Sequence, residues 1–334
     1  MTWLTELLGF AGKGVVVTLV VAAIATVIAR LIRRNRDNNP RLEVRPLNDR
    51  FKALSRALRS QVMAKKAFRA WEKAEPKPDP ENEQPKVFVV DFEGDLMATA
   101  TASLREEITA ITSMAGPNDE VVLRLESPGG AVPHYGLASA QLGRLKAKKV
   151  KLTVCVDRVA ASGGYMMACV ADSILAAPFA VVGSIGVVAQ VPNVHRLLKR
   201  FDVDFDEMTA GEFKRTVSVF GEISSKGRQK FQDELEETHE LFKEFVKAQR
   251  PSLDLDLVAT GEHWIGRRAL ELGLVDRLST SDEYLLERAQ SASLYRVTYH
   301  RENQWRSRLS MFAVELFENV LLKVFRRVMS LRLR

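Results

Sequence analysis

The sequence has only two cysteines, Cys155 and Cys169, and each lies within an apolar stretch. A disulfide framework or a zinc site needs more ligands than this pair provides, so we expect two buried thiols. The chain also lacks a glycine-rich loop that ends in Lys-Ser or Lys-Thr, the pattern that holds the phosphates of ATP. The sequence therefore predicts a protein without metal, nucleotide or other cofactor.

The middle of the chain has no net positive charge. The formal net charge is +7, yet residues 30–73 carry +10 and residues 301–334 carry +5, which leaves −8 for the remainder. A nucleic-acid groove would place basic residues on the main domain, whereas basic ends are typical of segments that lie against anionic lipid. We predict a lipid membrane and no nucleic acid as partner.

Long uncharged runs are also scarce, and the first covers residues 14–29. With Leu31 and Ile32 it approaches the roughly 20 residues that a membrane helix needs. A cleaved signal peptide would begin with basic residues, but here the arginines follow the run, which favours an uncleaved anchor. By the positive-inside rule, the arginines at 30, 33, 34 and 36 predict a cytoplasmic main domain, with the opposite face as the alternative.

Composition divides the chain into four regions. They are a membrane anchor (1–33), a basic amphipathic extension with a proline-rich linker (34–85), a core (86–290) and a basic amphipathic C-terminal segment (291–334). The extension has apolar residues at helical spacing, which predicts a helix that lies on lipid or packs on its own domain. In the core, short β-rich runs alternate with helical ones, which predicts an α/β fold with a largely parallel sheet. The expected strands are Val87–Phe92, Val121–Leu125 and Val150–Val156, and the expected helices are Leu104–Met114, Gly136–Ala147 and Leu235–Gln249.

Two glycine-rich segments follow predicted strands. The first, SPGG, contains Gly129 and Gly130, whose backbones can take conformations closed to other residues and so expose N–H groups. The second, AASGGY, places Ser162 where a strand meets a helix, with the N–H of Gly163 beside it. There a tetrahedral oxyanion would be stabilised, although a helix-capping serine fits the same pattern.

A serine nucleophile needs a base, and the five histidines are scattered, with His195 the most plausible of them. A lysine amine can serve when burial lowers its pKa from about 10.4 toward neutrality. The segment GEFKR offers Lys214 for this role, although that segment alone favours an ordinary solvated lysine.

Taken in chain order, five segments resemble the signal peptide peptidase A family of serine proteases, and the basic extension resembles its SohB branch. The segments are SPGG, AASGGY, VGSIGV, GEFKR and TGEHWIGRRALELGLVD, within about residues 87–278. The resemblance implies that Ser162 is the nucleophile, that Lys214 is the base and that Ser184 of VGSIGV orients the lysine. It also implies oxyanion donors at Gly163 and at Gly130, with Gly129 as the alternative.

The same resemblance implies a crotonase-like or ClpP-like spiral fold in the bacterial inner membrane. It implies a homo-oligomer that cleaves hydrophobic or signal-peptide-like peptides, with each serine served by a lysine from the adjacent subunit. Two other functions share this fold, namely an acyl-CoA enzyme of the crotonase type and a catalytically inactive membrane scaffold. The first needs acidic catalytic groups, and no acidic pair lies near Ser162 in the sequence; the intact Ser162 and Lys214 argue against the second.

Overall fold

The computed structural model describes residues 41–74 and 84–301. Residues 44–298 form one compact unit, and the described residues 41–43 and 299–301 belong to a second. In the second unit the ring Nε2 of His300 lies 2.8 Å from a carboxylate oxygen of Glu43. The predicted anchor, most of the linker and all but the start of the C-terminal segment lie outside the described residues.

Ten strands and ten helices make up the described part of the chain. The strands are β1 (Arg41–Pro46), β2 (Lys86–Glu93), β3 (Glu120–Glu126), β4 (Lys151–Val156), β5 (Val159–Ala161), β6 (Ser173–Ala176), β7 (Val181–Gly183), β8 (His263–Ile265), β9 (Arg277–Leu278) and β10 (Ser293–His300). The helices are α1 (Asn48–Val62), α2 (Lys65–Ala74), α3 (Thr101–Thr112), α4 (Val132–Ala147), α5 (Gly163–Ala168), α6 (His195–Arg200), α7 (Ser225–Gln249), α8 (Leu255–Val258), α9 (Gly266–Glu271) and α10 (Ser281–Arg288).

Seven strands form the main sheet in the order β1-β10-β2-β3-β4-β6-β9. Pairing is parallel from β10 through to β9. Both faces of the sheet are covered, because alternate side chains of β2 enter two separate apolar clusters: Phe88 and Val90 contribute to one, and Val87 and Val89 to the other. The α/β class and the largely parallel sheet predicted from the sequence are confirmed.

The sheet extends further along the chain than the sequence indicated. Composition assigned residues 291–334 to one basic segment, but Ser293–His300 is β10, which pairs with β2. Leu294 is fully buried there, since the pleat of the strand turns it into the second cluster. The basic extension likewise holds two helices, α1 and α2, and Phe51 of α1 packs against that same cluster.

Helices α1 and α2 carry basic residues and leave much apolar surface exposed. Residues 48–74 have a net charge of +6. Leu54, Leu58 and Val62 follow one another at helical spacing and are exposed. Arg59 stacks over the ring of Trp71, which ties the two helices together. Within the part of the chain that the structure describes, no helix is both long enough and apolar enough to cross a bilayer.

A buried carboxylate on β3 links the sheet to α10, beside the apolar cluster that contains Val87 and Leu294. Glu120 is only 2% exposed, and it accepts hydrogen bonds from the hydroxyls of Thr153 (2.5 Å) and Tyr284 (2.6 Å). Arg288 Nε donates to it at 2.9 Å, and Lys151 Nζ lies 3.2 Å away. Burial opposes ionisation, but these hydroxyls and cations together lower the pKa of Glu120 below its ordinary value of 4.5.

Candidate active site

Ser162 lies between β5 and α5 in a backbone conformation that few side chains adopt. Its φ is 52° and its ψ is −119°, and its side chain makes no capping hydrogen bond to the helix. Ser162 therefore occupies the N-cap position of α5 without capping the helix through its side chain. A non-glycine residue at positive φ persists only where its surroundings hold it, and here the Ser162 N–H donates to the Gly183 carbonyl at 2.7 Å.

The glycine after this serine is required by its neighbours. A Cβ on Gly163 would lie 2.4 Å from a ring carbon of Tyr135, closer than side chains tolerate. As the first residue of α5, Gly163 has an N–H without a partner inside the helix. This amide adjoins the Ser162 side chain, where an oxyanion donor is needed.

The SPGG segment packs directly beside Ser162. Ser127 continues the small sheet, since its N–H donates to Val159 and its carbonyl accepts from Ala161. Gly129 has a φ of 92°, and a Cβ there would lie 2.7 Å from the Ser162 Cβ. The close approach explains why a glycine occupies this position.

A hydrogen-bond chain distinguishes the two candidate glycine donors. The Tyr135 hydroxyl donates to the Asp95 carbonyl, so Ser127 Oγ must donate its own hydrogen to Tyr135. Ser127 Oγ in turn accepts the N–H of Gly129 at 3.1 Å. The Gly129 N–H is thus already engaged in a hydrogen bond to Ser127, whereas the Gly130 N–H makes no hydrogen bond within the described part of the chain. This geometry favours Gly130 as the second donor.

Ser184 follows β7 at the position that corresponds to Ser162 after the neighbouring strand, β5. Strands β5 and β7 pair in parallel, with Ala161 opposite Gly183, so the two serines are the next residues in register. Ser184 also has a φ of 52°. Its N–H donates to the Glu262 carbonyl at 2.7 Å, and its hydroxyl lies 3.4 Å from the Gly261 carbonyl.

Both serines line a cavity of about 790 Å³. Its walls are mainly apolar side chains and glycine backbone, and His239 is the titratable side chain among them. The lining residues are Leu96, Met97, Pro128, Gly129, Gly130, Ala131, Val132, Ser162, Ser184, Gly186, Val187, Val188, His239, Thr260 and Gly261.

Lys214 is not among these lining residues. It follows a turn at Gly211, whose φ is 99°, and its side chain is exposed. Its ammonium has no hydrogen bond or ion pair to any residue that the structure describes. The structure thus brings together Ser162, Ser184 and the glycines, but it leaves Lys214 of the same chain outside the cavity.

The segment that carries Lys214 folds back on itself and exposes several large apolar side chains among charged ones. Asn193 Nδ2 donates to the carbonyls of Ser218 and Gly221, both at 2.9 Å, which closes residues 193–221 into a loop. Large apolar side chains of this loop point to solvent, among them Phe201 (70% exposed) and Met208 (93%). Such an exposed apolar surface is typical of an interface.

The sequence did not identify His239, and it drew attention to His195 instead. His195 does not line the cavity, and its Nδ1 lies 3.3 Å from the Phe220 carbonyl. His239 lies on α7, three residues before Phe242 and seven before Val246, both of which are buried. This spacing marks the inner face of the helix and was the available signal.

Comparison with known proteins relates the chain to proteases. The family model described as peptidase family S49 matches residues 144–295, and the one described as peptidase family S49 N-terminal matches residues 2–142. A probable protease SohB of Haemophilus influenzae is 51% identical over an alignment of 300 residues that covers 85% of this chain and 85% of the relative. One of Buchnera aphidicola subsp. Schlechtendalia chinensis is 57% identical over 204 residues, 61% of this chain and 67% of the relative.

Among solved structures, a membrane-bound stomatin-specific protease in complex with a substrate peptide aligns with 61% of this chain and 80% of its own. The sequence identity is 14% and the TM-score is 0.37.

Proposed function

The chain belongs to peptidase family S49, in its SohB-like branch, and from this we propose that it is a serine endopeptidase with a Ser162–Lys214 dyad. The observation that carries the proposal is the placement of Ser162: it is held at positive φ, next to the Gly163 amide, in a cavity that Gly130 also lines. We also propose for the core the crotonase-like or ClpP-like spiral form that the resemblance implies.

In the proposed reaction, a neutral lysine amine takes the proton of the Ser162 hydroxyl while the oxygen attacks the peptide carbonyl. The carbonyl π electrons move to oxygen, and the N–H groups of Gly163 and Gly130 stabilise that oxyanion. Collapse of the intermediate breaks the C–N bond, and the lysine proton passes to the leaving amine. Water then hydrolyses the acyl-enzyme by the same route in reverse.

The base comes from a second copy of the chain. Lys214 is exposed in its own chain and does not line its own cavity, so the proposed base has to reach Ser162 from another copy. A neighbouring copy that covers the loop of residues 193–221 would both bury its apolar side chains and place Lys214 in a dry site. Ser184 would accept a hydrogen bond from the incoming amine and orient it. The assembly is therefore a homo-oligomer with shared active sites.

The cavity walls favour apolar peptides. Leu96, Met97, Val132 and Val188 line it, and each is at least partly accessible to a bound chain. A largely apolar cavity with few polar groups binds hydrophobic segments, which fits signal-peptide-like substrates. Such substrates lie in or near a bilayer.

The proposal also places the protein at the bacterial inner membrane. Its supports are the apolar run at residues 14–29, and the exposed Leu54 and Leu58 of α1 among basic residues. Exposed apolar side chains beside a net charge of +6 suit an anionic bilayer surface. The cytoplasmic side follows from the arginines after the run.

An acyl-CoA enzyme of related fold would need carboxylates at the reacting carbon. None of the described residues that line the cavity is aspartate or glutamate, so nothing in this site favours that chemistry. A serine at positive φ costs free energy, and such strained residues are typical of active sites, which argues against an inactive scaffold.

A fluorophosphonate probe tests the proposal, because it reacts with an activated serine hydroxyl. We expect covalent labelling of the full-length protein, loss of labelling in Ser162→Ala and a modified peptide that contains residue 162. An unlabelled wild-type protein, or equal labelling of Ser162→Ala, would refute the assignment of Ser162 as nucleophile.

A further inference from the structure

His239 is the one titratable side chain among the described residues that line the cavity, and the reaction above gives it no part. It is half-buried on α7, on the same face as Phe242 and Val246, which enter the main apolar cluster. Since these two residues fix the helix against the core, the imidazole is held at the cavity wall.

The hydrogen bond of this ring determines its tautomer. His239 Nε2 lies 3.1 Å from the carbonyl oxygen of Ile185. A carbonyl oxygen can only accept, so Nε2 carries the hydrogen and donates it. Nε2 keeps that hydrogen in both the neutral and the protonated imidazole, so the contact persists in either charge state. Nδ1 has no hydrogen-bond partner among the described residues.

The carbonyl that receives this hydrogen bond belongs to the residue after Ser184. Ile185 is fully buried, and Gly186 beyond it lines the cavity. The Ile185 carbonyl accepts no other hydrogen bond within the described part of the chain. Without the His239 donor it would be a buried acceptor lacking a partner, an arrangement that a backbone segment relieves by moving.

We infer that His239 is a positioning residue whose Nε2–H holds the backbone after Ser184, so that the Ser184 hydroxyl stays where it orients the catalytic amine. This inference rests on the proposed function. We assign the ring this role and not that of the base, because no hydrogen bond joins it to the Ser162 hydroxyl among the described residues.

Two substitutions separate a positioning role from an acid–base role. His239→Gln retains an N–H donor at about the place of Nε2 but cannot titrate, whereas His239→Leu keeps similar volume and removes the donor. For peptide hydrolysis by the full-length protein, we expect kcat within about threefold of wild type in His239→Gln. We expect kcat about tenfold lower in His239→Leu, with KM changed by less than about threefold, since one hydrogen bond to a buried carbonyl is lost.

His300→Leu is the matched control, because it removes an imidazole contact, to Glu43, on residues that do not line the cavity. It should hydrolyse peptides at the wild-type rate. The inference is overturned if His239→Leu also keeps the wild-type kcat, if its defect lies in KM alone, or if His239→Gln is as impaired as His239→Leu.

Hydrogen exchange provides a readout that does not depend on activity. By mass spectrometry, peptides that cover residues 183–188 should exchange faster in His239→Leu than in wild type, and at the wild-type rate in His239→Gln. Equal protection in all three proteins overturns the inference. If the wild-type protein hydrolyses no peptide, the proposed function fails, and the exchange rates still decide whether His239 holds this segment.

Discussion

Ser162 and Ser184 lie side by side at the carboxyl ends of two adjacent parallel strands, and both have a φ of 52°. The Ser162 N–H donates to the carbonyl of Gly183, the residue before Ser184, so the strand that carries Ser184 helps to hold the turn at Ser162. Two strained serines over one cavity are costly to hold by packing alone, since each such conformation costs on the order of 1–3 kcal/mol. Their coincidence agrees with a shared catalytic role.

Lys214→Ala should abolish peptide cleavage about as fully as Ser162→Ala, because members of a catalytic unit do not contribute additively. Steady-state hydrolysis of an apolar peptide measures this. Lys230→Ala is the matched control: Lys230 lies on α7, outside the loop of residues 193–221, its ammonium is 3.7 Å from Glu234, and such a surface pair is worth little. Substantial turnover by Lys214→Ala would point to a different base.

Mixed assemblies test whether the dyad forms between subunits. Inactive Ser162→Ala and Lys214→Ala proteins, unfolded and refolded together, should regain part of the wild-type activity, since some interfaces then combine an intact serine with an intact lysine. Refolding of either variant with itself should restore none. If mixed oligomers are demonstrated by mass and remain inactive, each subunit works alone.

Acidification should lower kcat/KM, because a protonated amine cannot accept the Ser162 proton. The rate of fluorophosphonate labelling, measured between pH 6 and 9, should rise with pH and then level. The rate should rise with pH because only the unprotonated amine can accept the serine proton. A flat profile across this range would contradict a lysine base.

Truncation after His300 should leave the core folded, since β10 and every other described strand are retained. The removed residues 301–334 have a net charge of +5, so the truncated protein should bind anionic membranes less tightly or assemble less completely. Salt extraction of membranes and native mass measure the two effects. Unchanged results in both would assign the segment another role.

Glu120→Gln should destabilise the fold by about 3 kcal/mol at pH 7, because it breaks a buried network around a charged acceptor. The folded-state pKa of Glu120 lies below 4.5, so its ionised form stabilises the fold above that pH. This contribution is lost as the pH falls through the folded value, and the two proteins should converge there. Urea unfolding at pH 7 and near pH 3 measures the difference.

Glu126→Gln is the control for that comparison, since Glu126 pairs with Arg158 at the surface. It should change the unfolding free energy by less than about 1 kcal/mol. A pH-independent defect in Glu120→Gln would mean that packing, and not charge, accounts for the role of Glu120.

The sequence by itself determined the fold class and the family. Apolar runs of β-branched residues predicted β2, β3 and β4 to within a residue or two, because strands buried on both faces leave a local signature. The glycine-rich segments around Ser162 also identified the family, since close backbone approach leaves few other residues possible. These signals are local, so they can be read along the chain.

Only the tertiary structure decided which of these residues meet. Parallel pairing of β5 with β7 put Ser184 beside Ser162. The Ser127 hydroxyl accepts the Gly129 N–H, so the Gly130 N–H is the one that stays without a partner among the described residues. The same packing brought His239 to the wall and kept Lys214 away from it. Strand pairing and the choice of hydrogen-bond partner depend on segments far apart in the chain, so local sequence patterns do not predict either of them.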